Sequence, residues 1–321
     1  MLLEIEDLHI GFDSDQGFVP VVEAVNLAIA RGSTLALVGE SGCGKSLIAS
    51  SIMQLLPPFG RVNRGVISLD GQNLASLDER SLQKIRGNRI AMIFQEPMSA
   101  LNPVFTVGAQ IAESLLLHME LDNKAARQRS IELLESVGIP DPQVRAGNYP
   151  HELSGGMRQR VLIAMALACE PDLIIADEPT TALDVTIQAQ ILDLLHDLQE
   201  RHGAAILFIS HDFGVVSQMA DDIAVMYAGR IIEQGSAAEI LESPTHPYTR
   251  ALLATTPRLD HKADRLPAIV GRVPSPFERD AGCHFRKRCD HAVAQCAASY
   301  PELIARVGSH PCACHVVNAN V

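Results

Sequence analysis

The sequence predicts an α/β fold, and three observations point to this class. Short apolar runs typical of buried strands occur at residues 35–38, 173–176 and 205–209. Longer segments whose apolar residues have helical spacing occur at residues 106–138, 155–169 and 186–202. Residues 2–10 alternate apolar and polar side chains as a half-buried strand does. We therefore expect an α/β body with an antiparallel β portion, a helical subdomain near residues 97–168 and a small Cys-rich tail.

The other elements follow from local signals along the chain. Residues 11–20 predict a turn-rich insert between the first strand and a second strand at 21–30. Further strands are predicted at residues 65–73, 90–94, 223–227 and 231–234, with a short helix at 78–86. From about Ser243 the chain becomes rich in Pro, His and Cys, which predicts a separate small module over residues 243–321 behind a main domain of residues 1–242.

Composition limits the kinds of partner that the chain can have. The 321 residues are 47% apolar, enough for a sizeable core and for two or three domains. A formal net charge of −12, 4% aromatic residues and no Trp argue against a nucleic-acid partner. The N-terminus carries acids where a signal peptide would carry Lys or Arg, and no apolar run reaches membrane-spanning length. We expect a soluble, cytosolic chain whose membrane role, if any, comes through partners.

A phosphate-binding loop follows the strand at residues 35–38. The segment matches G-x-x-x-x-G-K-[ST] and consists of Gly39, Glu40, Ser41, Gly42, Cys43, Gly44, Lys45 and Ser46. Its glycines let backbone N–H groups converge on one anion, and the helix that follows adds the positive end of its dipole. Lys45 is predicted to reach the β- and γ-phosphates, and the Ser46 hydroxyl to ligate Mg²⁺. The chain is therefore predicted to bind a nucleoside triphosphate.

A pair of carboxylates ends the apolar strand at residues 173–176. Asp177 would give Mg²⁺ its second anchor beside the phosphate loop. Glu178 would take a proton from, or orient, the water that attacks the γ-phosphate. Taken alone, such a pair is as often a solvated strand end, so the prediction depends on the phosphate loop.

A second glycine pair opens a helix in LSGGMRQR at residues 153–160 and offers a second potential anion site. With DLIIADEPTTALD at 172–184 and ISHD at 209–212, this segment resembles the nucleotide-binding subunit of ABC transporters. The resemblance implies a P-loop ABC-type ATPase that hydrolyses ATP. It also implies a head-to-tail dimer in which Ser154, Gly155 and Gly156 act on the γ-phosphate held by the opposite subunit, with Asp184 in the loop that crosses the interface.

The same resemblance assigns roles to residues near the phosphate loop. Gln95 would contact Mg²⁺ and the attacking water and relay to the transporter, and His211 would be the switch histidine on the γ-phosphate. The family stacks an aromatic ring on adenine shortly after the first strand. Phe12 is our choice for this ring, with Phe18 as the alternative, because the insert at 11–20 blurs the register.

Three further segments are similar to one branch of that family, the importers of peptides and nickel. These segments are QEPMSALNP at 95–103, SPTHPYTRALL at 243–253 and GRVPSP at 271–276. The resemblance implies that ATP hydrolysis powers import of di- or oligopeptides through two separate permease subunits. It further implies a second related ATPase subunit in a heterodimer, an extracytoplasmic peptide-binding protein, and a peripheral location on the cytoplasmic face of the inner membrane.

Five of the seven cysteines lie in the tail, and in a reducing cytosol this clustering suggests metal ligation more than disulfides. Cys283, Cys289, Cys296 and Cys314 have a spacing that resembles the [4Fe–4S] site of peptide-importer ATPases. Cys312 could substitute for Cys314 or stay free. A structural zinc and unliganded thiols are the alternatives.

Other functions stay open at this stage. The chain could serve another solute such as nickel, or be a soluble ABC ATPase that acts on DNA or ribosomes. A cluster-based redox sensor with a secondary ATPase is a third reading. Cys43 is expected to fill a tight turn, with a redox switch as its alternative, and Cys169 is expected in the core.

Overall fold

A computed structural model describes residues 1–15, 17–181, 184–255, 268–306 and 309–319. Its strands are β1 Leu3–Ser14, β2 Gly17–Ile29, β3 Thr34–Val38, β4 Gly60–Leu69, β5 Gln72–Asn73, β6 Ile90–Ile93, β7 Leu173–Asp177, β8 Ala205–Ser210, β9 Asp222–Tyr227, β10 Arg230–Ser236, β11 Ile304–Arg306 and β12 Ser309–Cys312. Its helices are α1 Lys45–Ile52, α2 Glu79–Ile85, α3 Pro97–Ala100, α4 Val107–His118, α5 Asn123–Ser136, α6 Pro142–Arg145, α7 Gly155–Leu167, α8 Val185–His202, α9 Phe213–Met219, α10 Ala237–Glu242, α11 Pro247–Ala254, α12 Gln295–Ala298 and α13 His315–Ala319.

Side chains at the helix N-termini explain where several helices begin. A carboxylate or hydroxyl just before the helix accepts a hydrogen bond from a backbone N–H group of the first turn, which otherwise lacks a partner. The residues that do this include Asp78, Thr106, Asp122, Ser154 and Asp184.

In the described part of the chain, the central sheet has eight strands in the order β11-β12-β10-β9-β3-β8-β7-β6. The strands β9, β3, β8, β7 and β6 are parallel to one another, so their carboxyl ends lie at one edge. Successive residues of β3 face opposite sides: Leu35 and Leu37 join one apolar cluster, and Ala36 and Val38 join the other. The sheet is therefore buried on both faces, which confirms the predicted α/β class.

A second, antiparallel sheet has the order β2-β1-β4-β5. The predicted turn-rich insert at residues 11–20 is wrong, because most of it belongs to the long hairpin of β1 and β2, with Gly11 opposite Pro20 and Ser14 opposite Gly17. A Cβ atom on Gly11 would lie 2.2 Å from the carbonyl oxygen of Val19. Gly11 therefore permits a close approach of two strands and does not mark a turn.

The helices α3–α7 lie between β6 and β7, where the sequence predicts helical segments. α4 packs against α5, and both contact α7. Leu115, Leu134 and Ile163 are fully buried here, in the same apolar cluster as Phe208 of β8. The limits of a subdomain at 97–168 stay a prediction. No helix within the described ranges is long and apolar enough to cross a membrane.

The tail adds to the sheet of the main domain. β12 pairs with β10, with Cys312 opposite Glu233. The rings of Tyr227, Tyr248 and Phe285 lie with centroids 4.7 to 5.3 Å apart in the main core. The tail thus shares both the sheet and the core with the rest of the chain, and the division into a main domain and a small module at 242/243 stays a prediction.

A buried carboxylate anchors this tail. Glu233 is fully buried, and its Oε1 accepts hydrogen bonds from the Thr245 hydroxyl at 2.6 Å and faces His310 Nε2 at 2.7 Å. Burial opposes ionisation here, but the hydrogen bonds from Thr245 and His310 prevail and lower the pKa of Glu233. The charged carboxylate thus holds two parts of the tail against β10.

Candidate active site

The functional residues predicted from sequence meet at one edge of the central sheet. The neighbouring strands β3, β8, β7 and β6 end there, and they are followed by the phosphate loop, His211, Glu178 and Gln95 respectively. In parallel α/β sheets, ligands bind outside the carboxyl ends of the strands. A cavity of about 690 Å³ opens at this edge, and its lining is Val21, Glu40, Ser41, Gly42, Gly44, Lys45, Ser46, Leu47, Gln95, Glu178, Thr181, His211, Leu252 and Thr255.

The phosphate loop joins β3 to α1 and is tightly packed beneath. Gly44, which precedes α1, has φ 111°, a backbone conformation that favours glycine. Lys45 is 5% exposed, and its Nζ donates to the carbonyl oxygens of Gly39 at 2.7 Å and Glu40 at 3.2 Å. Cys43 is fully buried, and burial raises the pKa of its thiol. A neutral, enclosed thiol agrees with the prediction that Cys43 fills a tight turn, and Cys169 is confirmed in the core.

Asp177 has the properties of a metal ligand. It lies at the end of β7 with 6% of its surface exposed, and its Oδ1 is buried without a hydrogen-bond partner among the described residues. Burial raises its pKa, and a hydrogen bond with Ser46 opposes that shift. A bound cation would satisfy the unpartnered oxygen and favour the ionised form. These residues fit Mg²⁺, which Ser46, Asp177 and Gln95 would hold, and the ion would neutralise phosphate charge.

Glu178 is the centre of a hydrogen-bonded group. Its Oε2 accepts from Gln95 Nε2 at 3.1 Å and from the Thr181 hydroxyl at 2.9 Å, and its Oε1 lies 3.3 Å from Nδ1 of His211. Its backbone has φ 48°, and its N–H donates to the carbonyl oxygen of Ile209 at 3.0 Å. The loop after β7 is thus fixed to the end of β8, and the strained backbone aims the carboxylate into the cavity.

This arrangement can activate water. A carboxylate at the cavity wall can accept a proton from a water molecule, and Gln95 and Thr181 orient that carboxylate from one side. The His211 side chain is 56% exposed and so can reach a bound phosphate. Lys45 and the N-terminus of α1 supply positive charge for the phosphates.

A second cavity of about 480 Å³ lies at the start of α7. Ser154, Gly155, Gly156 and Asp184 all line it, together with Gly138, Pro140, Met157, Arg160, Ile187 and Gln190. The Ser154 hydroxyl accepts the Met157 N–H, and Asp184 accepts the Ile187 N–H at 2.9 Å. The two cavities share no lining residue, so the glycine pair does not face the phosphate loop of its own chain.

The two aromatic candidates for adenine lie on the antiparallel sheet. Phe12 of β1 is opposite Val19 and Gly60. The guanidinium of Arg61 lies 4.6 Å from the centroid of the Phe18 ring. Neither phenylalanine is in the lining of the nucleotide cavity, where Val21 is found. A stacking role for either ring stays a prediction.

Sequence reasoning missed several residues at this site. Thr181 lies in the segment at 172–184, and the sequence pattern predicts no role for it, although its hydroxyl donates a hydrogen bond to Glu178. Leu252 and Thr255 of the tail line the cavity. Tyr248 and Arg288 of the tail bind Glu40 in the phosphate loop. The last two contacts join residues more than 200 positions apart in the sequence. The aromatic and basic residues of the tail are the only signal that could have suggested them.

The tail cysteines divide into two environments. Burial raises the pKa of Cys283 to about 11 and also raises that of Cys289, with smaller contributions from the nearby Cys296 and Cys314. Burial raises the pKa of Cys312 to about 12, and the side chains that act on it are Thr245 and Glu233, with a smaller contribution from Cys314. In the parts of the chain that the structure describes, no three His, Cys, Asp or Glu side chains stand arranged as a ready metal site.

The phosphate loop, Asp177 with its unpartnered Oδ1 among the described residues, and the adjoining Glu178 define a P-loop ATPase site. The ABC transporter family matches residues 22–181, and the C-terminal region of oligopeptide/dipeptide transporters matches residues 232–296. The dimeric ATP-binding cassette MJ0796, solved with ADP and Pi, has a TM-score of 0.66 at 28% identity, with 73% of this chain and 98% of that chain covered.

Curated relatives extend this likeness over nearly the whole chain. The probable peptide ABC transporter ATP-binding protein y4tR of Sinorhizobium fredii is 49% identical over 316 residues, 98% of this chain and 94% of that protein. The dipeptide transport ATP-binding protein DppD of Bacillus subtilis is 48% identical over 314 residues, with the same shares covered. The chain belongs to the family of ATP-binding subunits of oligopeptide/dipeptide ABC transporters.

Membership settles the broad function. The protein is an ATPase that uses ATP and Mg²⁺, and it works in association with a membrane as part of a transporter. The relatives do not favour the alternatives of nickel transport or of an ATPase acting on DNA or ribosomes.

Proposed function

We propose that this subunit powers the import of di- or oligopeptides. The observation that carries the proposal is the match of residues 232–296 to the C-terminal region of peptide transporters, combined with curated relatives named for peptide, dipeptide and oligopeptide transport. Glu178 acts as the general base, with Gln95 and Thr181 as its orienting partners. Lys45 binds the phosphates, and His211 contacts the γ-phosphate.

The proposed assembly contains two ATPase subunits and two permease subunits. A second, related ATPase completes a heterodimer in which Ser154, Gly155 and Gly156 meet the nucleotide of the partner. The separation of the two cavities within one chain supports this role, because the glycine pair has no nucleotide of its own to bind. An extracytoplasmic binding protein delivers the peptide, and the ATPases lie on the cytoplasmic face of the membrane.

We also propose that Cys283, Cys289, Cys296 and Cys314 hold a [4Fe–4S] cluster. The thiols of Cys283 and Cys289 each interact with those of Cys296 and Cys314, and four thiolates satisfy such a cluster. The side chains would turn from their present positions towards a common centre. Cys312 stays outside the set, since Thr245 and Glu233 act on it more strongly than Cys314 does.

The import proposal is tested in proteoliposomes that contain the ATPase with its two permeases and its second ATPase. ATP turnover is measured with the binding protein loaded with a peptide mixture, with Ni²⁺, or with neither. We expect stimulation by the peptides alone. Stimulation by Ni²⁺ and not by peptides would overturn the choice of solute, and the ATPase activity itself would still stand.

A further inference from the structure

We propose that the tail positions the phosphate loop, and that Arg288 and Tyr248 are the positioning residues. Both contacts are made to Glu40, the second residue of the loop. Arg288 Nη1 and Nη2 donate to Glu40 Oε1 and Oε2 at 2.9 and 3.0 Å. The Glu40 backbone N–H donates to the Tyr248 hydroxyl at 3.0 Å. The tail therefore holds this loop residue by its side chain and by its backbone.

The Arg288 side chain is built into its place. It is 6% exposed, and its remaining donors bind the carbonyl oxygens of Val270 at 3.0 Å and Ile269 at 3.3 Å. Nη1 also donates to the Tyr227 hydroxyl at 3.3 Å. A bidentate pair between an enclosed guanidinium and a carboxylate fixes both direction and distance. A free surface pair would not impose such a constraint on the loop.

Tyr248 adds a second constraint from the beginning of the tail. It is fully buried on α11, and burial raises its pKa, so the hydroxyl stays neutral. Because the Glu40 amide is bound to Tyr248, this amide faces the tail and not the phosphates.

The position of Arg288 in the sequence gives the contact a further meaning. Arg288 directly precedes Cys289 in a short 3-10 turn, so the packing around the cysteines sets where the guanidinium lies. The conformation of the phosphate loop thus depends on how the cysteine-rich tail is folded. Neither Arg288 nor Tyr248 lines the nucleotide cavity, so both act through Glu40.

The test compares full-length variants Arg288→Ala, Arg288→Lys, Glu40→Gln and the double variant Arg288→Ala/Glu40→Gln. Lys287→Ala is the matched control, an exposed cation in the same turn beside Cys289. Displacement of a fluorescent ATP analogue gives the Kd for MgATP of the isolated subunit. Turnover in the reconstituted transporter gives KM and kcat, and iron content is measured for each variant.

We expect Arg288→Ala to raise Kd and KM about tenfold with kcat nearly unchanged, because a charged hydrogen-bonded pair outside the reacting atoms is lost. Arg288→Lys should recover part of the loss, since one ammonium cannot replace the fork. The double variant should match the single ones, because both remove the same contact. A Kd for Arg288→Ala within twofold of that for Lys287→Ala would overturn the proposal, as would losses that multiply in the double variant.

Tyr248→Phe keeps the test decisive if Arg288→Ala does not fold. It removes only the hydroxyl that accepts the Glu40 N–H. We expect weaker MgATP binding with unchanged kcat. Wild-type affinity in a folded Tyr248→Phe protein would also overturn the proposal.

Discussion

Nδ1 of His211 lies 3.3 Å from Oε1 of Glu178, although the two residues follow different strands. The contact exists because β7 and β8 are parallel neighbours, so the residues after them meet at one edge. The carboxylate of Glu178, which can accept a proton, and the exposed imidazole of His211 both lie at the wall of the same cavity. The strand order, and not closeness in the chain, therefore brings this proposed catalytic pair together.

Glu178→Gln should lower ATP turnover in the assembled transporter by about 10²- to 10⁴-fold, the range expected for loss of a general base. The amide keeps the shape of the carboxylate but cannot accept the proton, so ATP should stay bound and the nucleotide-bound dimer should accumulate. Turnover and size-exclusion chromatography measure the two effects. Glu242→Gln, an exposed glutamate that ends α10, is the control. Wild-type turnover in Glu178→Gln would show that another group is the base.

Lys45→Ala and Gly155→Asp should fail at different steps. Lys45→Ala removes the cation that binds the phosphates, so the isolated subunit should lose tight binding of ATP. Gly155→Asp places a charge in the second cavity, where nothing lies within 4 Å of an added Cβ, so the fold and the binding by the isolated subunit should persist. Its turnover in the assembled transporter should be lost. Equal loss of binding in both variants would contradict a role in trans.

Acid should loosen the attachment of the tail. His246 is 2% exposed, and burial lowers its pKa to about 4, against an ordinary value of 6.5. The unfolded chain therefore binds one more proton than the folded chain between those values, and the free energy of unfolding falls as pH drops through this window. His246→Asn keeps a side chain that can cap α11, where His246 Nδ1 accepts the Tyr248 N–H.

Urea unfolding at several pH values between 4 and 7 measures this effect. Wild type should lose up to about 1.4 kcal/mol per pH unit more than His246→Asn in that window. Equal slopes in the two proteins would show that His246 titrates normally. Lowered stability of His246→Asn at pH 7 alone would report packing and not titration.

Protein purified without oxygen should be brown, with absorption at about 400 nm, as thiolate-bound iron–sulfur clusters absorb. Single Ser replacements at Cys283, Cys289, Cys296 and Cys314 should each bleach the colour, and Cys312→Ser should not. The bleached variants should stay folded, with Cys289→Ser binding ATP more weakly because Arg288 loses its support. Elemental analysis decides the metal: one zinc and no iron per chain would contradict the cluster.

The sequence predicts much of this site because its chemistry is local. Gly44 and Lys45 stand where a strand meets a helix, and Glu178 directly follows Asp177, so short patterns suffice. The contacts of Arg288 and Tyr248 with Glu40 have no such pattern, since they depend on how the tail packs. The sequence does not predict the hairpin at Gly11 for another reason. A glycine that permits two strands to approach closely cannot be distinguished in the sequence from a glycine in a turn.

The tail contribution to the nucleotide cavity has a consequence during synthesis. A chain is made from its N-terminus, and residues that come first fold first. A chain that ends at residue 242 contains every nucleotide-binding motif. It lacks Leu252, which lines the cavity, and Arg288, which binds Glu40. We expect such a fragment to bind ATP weakly and therefore to hydrolyse little of it. Full affinity for ATP is thus expected only after the tail has been translated.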